Sequence, residues 1–352
     1  MPRIISVINQ KGGVGKTTTA INLAAGLALK NFKVLLIDLD PQGNASTGVG
    51  ITQSEREKSI YDLLITKDSF AECIKKTKIE NLSIIPANAE LSGLETEVAN
   101  NSQKAFLLKN IIDGSENILE KEKFSYIIID CPPSLSLLTI MSLVISHSLV
   151  VPLQAEFFAL EGLSQLVKTI DRIKINLNPN LEIQGIVLTM YDKRNKLCAD
   201  VEKEGRNFFG NKVYSVNIPR NVRISEAPSF GMPVILYDKY CAGSLAYNHG
   251  KGLSALMGDV GPENIETKNL AEKIPIHFIF PNPSQPRKNF DQNLLNELSD
   301  SIKEQGIIQP ILVRKKSEDN FEIVAGERRW RAAQLAKIHE VPVIVLNIDD
   351  KI

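Results

Sequence analysis

A chain of 352 residues exceeds the size at which one hydrophobic core normally keeps growing, so two domains are expected. Its 41 basic and 41 acidic side chains cancel, which excludes a global basic field, and 43% hydrophobic with 23% charged residues excludes a largely disordered chain. Cys73, Cys131, Cys198 and Cys241 form no CxxC pair, which fits thiols in a reducing cytoplasm better than disulfides or a zinc site.

In chain order, residues 4–9, 34–38, 82–86, 126–130, 148–152 and 183–189 are short β-branched runs that read as buried strands, and helical spacing marks 17–29 and 162–175 between them. This alternation predicts an α/β fold, a mostly parallel sheet covered by helices on both faces. The first run turns polar and glycine-rich too soon for a signal-peptide core. The most apolar region, 126–153, is interrupted by Asp130 and Pro132-Pro133, so no membrane span is expected. Residues 248–273 read as a linker with a short apolar patch. A second unit from 274 to 352 is expected to hold a helix at 294–305, strands at 311–314 and 321–325, a helix at 327–336 and a strand at 341–346.

The first strand runs directly into Gln10-Lys11-Gly12-Gly13-Val14-Gly15-Lys16-Thr17-Thr18 and then a helix. Small residues there let successive backbone N–H groups cradle phosphates at a helix N-terminus. Lys16 is placed to reach the β- and γ-phosphates of ATP and Thr17 to ligate Mg²⁺. Asp38 and Asp40 end the second strand, and Asp130 ends another, so three carboxylates are expected at the sheet edge where ligands bind in open α/β folds. Asp130 reads as the acid that holds Mg²⁺.

Gln10 where the usual motif has glycine, together with the added Lys11, gives the deviant phosphate-loop form of the ParA/MinD group, and the first 247 residues resemble a ParA-type partitioning ATPase. That resemblance implies a P-loop NTPase that hydrolyses ATP. Lys11 would reach across an ATP-dependent homodimer to the partner's phosphates, Asp40 would orient the attacking water, and Asp38 would support the magnesium site. The stretch from Asn217 to Ser229 is similar to the ParA segment that lies near adenine through Pro219 and binds double-stranded DNA without sequence preference. Arg220, Arg223 and Arg206 are the expected phosphate contacts, and the implied location is the cytoplasm, on the nucleoid.

The segment from Gly250 to Gly258 resembles the opening peptide of ParB proteins, which stimulates the ParA ATPase, and puts Lys251 in the activating position. Residues 282–287 and Ala325-Gly326-Glu327-Arg328-Arg329-Trp330-Arg331 resemble the two arginine boxes of the ParB N-terminal domain, a small α+β domain in which they hold CTP phosphates. Gly326 permits a tight turn into a helix, and Arg328, Arg329 and Arg331 put several cations near its positive end. Because the sequence stops before the third CTP motif, an incomplete CTP site is expected. Two other readings have distinct requirements: a MinD-like positioning ATPase would need an amphipathic membrane anchor, and a metal-cluster scaffold a cysteine pair.

Overall fold

Strands buried on both faces need apolar side chains at every position, and five consecutive buried residues in Val34–Asp38 and in Tyr126–Asp130 meet that demand. The computed structural model describes residues 1–66, 68–156, 159–248, 272–281, 299–300, 302, 307, 311–317 and 320–346. The chain divides into two units, Met1–Val260 and Gly261–Ile352.

The first unit holds a seven-stranded sheet of β1 (Arg3–Val7), β2 (Val34–Asp38), β3 (Lys75–Lys76), β4 (Leu82–Ile85), β5 (Tyr126–Asp130), β6 (Ser148–Gln154) and β7 (Glu182–Thr189). Their order is β3-β4-β2-β5-β1-β6-β7, and every pair is parallel except β3 with β4. Alternate residues serve opposite cores. Ile4, Leu35, Ile37, Ile127 and Ile129 face one, with helices Leu137–Ile145 and Ala159–Asn176, while Ile5, Leu36 and Ile128 face the other, with helix Lys16–Leu29. Each fully buried aliphatic side chain contributes roughly 1.5–3 kcal/mol.

Two strand ends that differ from the sequence expectation have a local reason. β1 ends at Val7 because the Asn9 side chain donates to the Pro152 carbonyl at 2.7 Å and accepts the Lys11 N–H at 3.0 Å, turning the chain into the loop. β6 continues past Pro152 to Gln154. Its pairing with β1 has already ended at Val150, so the missing proline N–H is not needed on that side. β3, two half-exposed or exposed lysines, carries no hydrophobic signal.

In the second unit, β8 (Glu272–Pro275), β9 (Ile279–Phe280), β10 (Ile311–Ser317), β11 (Asn320–Ala325) and β12 (Glu340–Leu346) form a mixed sheet in the order β8-β12-β10-β11-β9. Ile311, Val313, Ile323, Val341 and Val343 build its core with Ala333 of helix Glu327–Leu335. β8 and β9 were not anticipated. The expected helix at 294–305 lies almost wholly outside the described residues, as do the arginine box at 282–287 and Lys251.

Gly185 in β7 has no room for a side chain, since a Cβ there would lie 2.0 Å from the Tyr214 ring, itself buried. Gly185→Ala is expected to lower stability by about 1–3 kcal/mol through overpacking, measured by denaturant unfolding. An unchanged midpoint would contradict the packing described.

Candidate nucleotide site

The loop after β1 owes its shape to two glycines in the left-handed region, Gly13 at φ 72° and Gly15 at φ 85°, the latter capping helix Lys16–Leu29. No atom lies within 4 Å of a Cβ built on Gly13, so the requirement there is conformational and not steric. Val14 anchors the loop: its side chain is buried and its carbonyl accepts the Thr189 hydroxyl at 2.8 Å, tying the loop to the end of β7. Gly12 packs at ordinary distance from Pro133, and Thr17 and Thr18 lie half-buried in the first helical turn.

Strand register sets the acidic edge. Asp38 and Asp130 are direct partners across the parallel β2–β5 pair, so both carboxylates emerge together beside the loop, and both side chains are fully buried. Asp38 accepts the Ser46 N–H at 2.8 Å, the Ser46 hydroxyl at 2.7 Å and the Asp40 N–H at 3.2 Å. Burial nevertheless pushes it up to about 6. Asp130 is less well served, because neither of its oxygens has a full hydrogen bond. Burial and the neighbouring Asp38 raise it well above the usual carboxylate range, and the nearby Thr17 hydroxyl offsets only part of this. Lys16, also buried, is lowered by desolvation against the attraction of Asp130 and Asp40. Its ammonium donates to the Lys11 carbonyl at 2.9 Å.

This donor set fits a magnesium ion. Two orphaned, buried carboxylate oxygens beside a threonine hydroxyl are hard ligands, and Mg²⁺ takes one or two carboxylates plus phosphate and water in preference to an all-protein cage. Consistently, no group of three or more His, Cys, Asp or Glu suited to a metal occurs among the described residues. Bound there, the ion would neutralise phosphate charge; Thr17, Asp38 and Asp130 would hold or support it. Asp40 stands at the same edge, accepting the Gln42 N–H at 3.0 Å.

Beside the loop lies a pocket of about 160 Å³ lined by Gly15, Thr18, Ile218, Pro219 and Tyr247 among others. Ile218 is fixed by backbone bonds to Leu188 at 2.7 Å and to Tyr191 at 3.0 Å, which brings Pro219 to the pocket. Thr189 and Tyr247 also line it and were missed, since neither sits in a recognisable motif. Cys131, which donates to Ser142 at 3.1 Å, is a buried thiol with no second cysteine nearby to make a cluster.

Comparison with known proteins agrees with this geometry. An AAA domain family model matches residues 2–183, and a ParB N-terminal domain model matches residues 261–352. The chromosome partitioning protein ParA of Caulobacter vibrioides is 53% identical over 245 residues, 70% of this chain and 91% of that protein. The chain belongs to the ParA family of partitioning ATPases. The sporulation initiation inhibitor Soj of Bacillus subtilis, 48% identical over 247 residues, shares 70% of this chain and 96% of its own length. Cobyrinic acid a,c-diamide synthase from Mycobacterium smegmatis, solved with an ATP analogue and magnesium, is 30% identical with TM-score 0.64, covering 73% of this ParA-type chain and 94% of its own. ATP and Mg²⁺ are consistent with the phosphate loop and the carboxylate edge described above.

The arginines divide. Arg220 is exposed, and Arg223 pairs with Glu226 at 2.8 Å and with Asp238 at 3.6 Å on the surface. Arg194, passed over in the sequence, is 90% exposed beside Asp192. Arg206 is half-buried, with its guanidinium engaged within the chain. It donates to Glu202 at 2.8 and 3.1 Å, to the Val213 carbonyl at 3.0 Å and to the Tyr214 carbonyl at 3.0 Å. Glu202 also accepts from Asn217 at 3.0 Å and from the Tyr191 hydroxyl. This network clamps the segment that carries Pro219. In the second unit, Gly326 at φ 106° caps helix Glu327–Leu335, Arg329 is half-buried, and Arg331 pairs with Glu327 at 2.6 Å. Arg328 occupies the same first turn, its side chain outside the described residues.

Because Asp38 titrates near 6 when folded and near 3.8 when unfolded, the folded chain holds the extra proton between those values, and stability falls as pH rises through that window. His147, lowered by burial, works in the opposite direction and is common to both proteins compared. Without nucleotide or metal, Asp38→Asn should therefore gain on the parent by on the order of 2–3 kcal/mol between pH 4 and 6, read by unfolding curves. Parallel pH profiles would count against the burial of Asp38.

Arg206→Ala and Glu202→Ala are each expected to raise the KM for ATP about tenfold with little change in kcat, the cost of a half-buried charge left unpaired beside the pocket that Pro219 lines. DNA affinity of the ATP-saturated chain and its salt slope should stay as in the parent. A slope reduced by about one would return Arg206 to the DNA contacts.

Proposed function

We propose that ATP closes two copies of the first unit into a sandwich dimer that binds double-stranded DNA without sequence preference, and that hydrolysis releases both. The carrying observation is a second lysine at the phosphate loop. Lys16 is read as serving the cis phosphates, whereas Lys11 stands at the exposed rim, about half accessible, paired with the equally accessible Glu156. Such an exposed pair is worth about 0–1 kcal/mol, so exchange of Glu156 for a partner's phosphate costs little. Asp40, hydrogen-bonded through one oxygen to Gln42, is the residue read as orienting water. Arg220 and Arg223, joined by Arg194, supply cationic contacts to DNA phosphates, where charge and not base identity sets affinity.

The role follows as ATP-driven movement or placement of chromosomal or plasmid cargo on the nucleoid, in the cytoplasm. Among the described residues no helix is long and apolar enough to cross a membrane. A ParB-type partner fits the matched N-terminal domain at 261–352. The basic peptide around Lys251 is read as the ATPase-stimulating segment of that partner, here joined to residues 1–247. CTP phosphates are assigned to the helix start at Gly326, Arg328 and Arg329.

Sizing chromatography with ATP tests the central step. The parent chain should shift to a dimer and Lys11→Ala should remain monomeric while still binding ATP. Equal dimerisation of both proteins would refute the trans role of Lys11.

A further inference from the structure

A second cavity of about 450 Å³ opens on the far side of the turn that carries Asp40, between residues 42–56 and the segment Pro228–Gly231. Its walls are clasped at Gly50 and Gly231, whose backbones approach so closely that a Cβ on Gly231 would lie 2.7 Å from the Gly50 Cα. Arg56 lines it. The side chain is only 8% exposed, yet no carboxylate lies within ion-pair distance of it among the described residues. Its Nη2 donates to the Thr47 hydroxyl at 2.7 Å and to the Ile51 carbonyl at 2.8 Å, and Nε is buried without an acceptor. Burial lowers its pKa, with Asp38 and Glu55 giving partial compensation at longer range.

A buried guanidinium without a counter-ion is costly. The rest of the lining points to what would compensate it: Lys78 and the amide of Gln42, with no carboxylate among the described lining residues. Glu55 is near, but it is engaged by the Thr52 N–H at 2.8 Å and hydroxyl at 2.6 Å. We propose that this cavity is a binding site for a phosphate-type oxyanion, held by Arg56 and Lys78, and that its occupancy is sensed at Asp40. The connection is short. Gln42 lines the cavity and donates its N–H to Asp40, and a Cβ on Gly43 would fall 2.2 Å from Arg56 Nη1, so the guanidinium lies directly against the turn. The coupling half rests on the reading of Asp40 as the water-orienting residue; the binding half does not.

Isothermal titration of inorganic pyrophosphate into the full chain, with the phosphate loop filled by ADP and Mg²⁺, separates the two. The parent should show saturable binding at one site, Lys78→Ala about tenfold weaker binding, and Lys75→Ala, on the neighbouring strand, none of that loss. Lys78 is exposed, so its replacement leaves the fold intact even if Arg56→Lys does not. No saturable binding, or an equal loss in Lys75→Ala, overturns the site. Displacement of pyrophosphate by a short duplex would assign the phosphate to nucleic acid, and retention would assign it to a small solute. At saturating ATP, pyrophosphate should alter kcat in the parent and not in Lys78→Ala; binding without any such change overturns the coupling to Asp40.

Discussion

The juxtaposition of Asp38 and Asp130 on neighbouring parallel strands is the constraint from which the remaining site geometry follows. Two carboxylates at one buried edge repel and are poorly hydrated, so each holds its proton more readily than a free carboxyl group. The fold answers with Ser46, which satisfies Asp38 twice, and with Lys16, whose positive charge attracts Asp130 and Asp40. Asp130 is left without a full hydrogen bond. A structure tolerates such a group where a cation completes it, and the phosphate loop lies where a nucleotide would bring one.

Around that edge, the supporting contacts come from distant parts of the sequence. Thr189 holds Val14, Tyr191 and Leu188 hold Ile218, and the Glu202–Arg206 pair holds the carbonyls on the way to Pro219. The pocket that Pro219 lines is thus supported by β7 and helix Lys196–Phe209, while the glycine-rich loop follows β1. Their relative placement depends on one parallel sheet, and β6 sits between them.

Much of this was legible in the sequence because it is local. A glycine-rich loop between a strand and a helix, and aspartates at the ends of apolar runs, fix chemistry within a few residues of a regular element. Pairing across the sheet then brings them together. What escaped was non-local or compositionally silent. Arg206 reads as a surface cation on an amphipathic helix, and only the folded path of Val213 and Tyr214 shows its carbonyl acceptors. Arg56 gives no signal at all until the turn at Gly43 closes over it. Tyr247 lies far beyond the motifs, and strands as short as β3 and β9 cannot display a period.

The two lysines of the loop have a consequence for the order of assembly. In the free protomer Lys16 is bonded to the main-chain carbonyl of Lys11, and the side chain of Lys11 is bonded to Glu156. The cations are therefore arranged as a relay in which each waits on an internal acceptor. A phosphate that captured Lys16 would free the Lys11 carbonyl, loosening the residue whose side chain holds Glu156. On the proposed trans role of Lys11, nucleotide capture would precede self-association as a matter of connectivity.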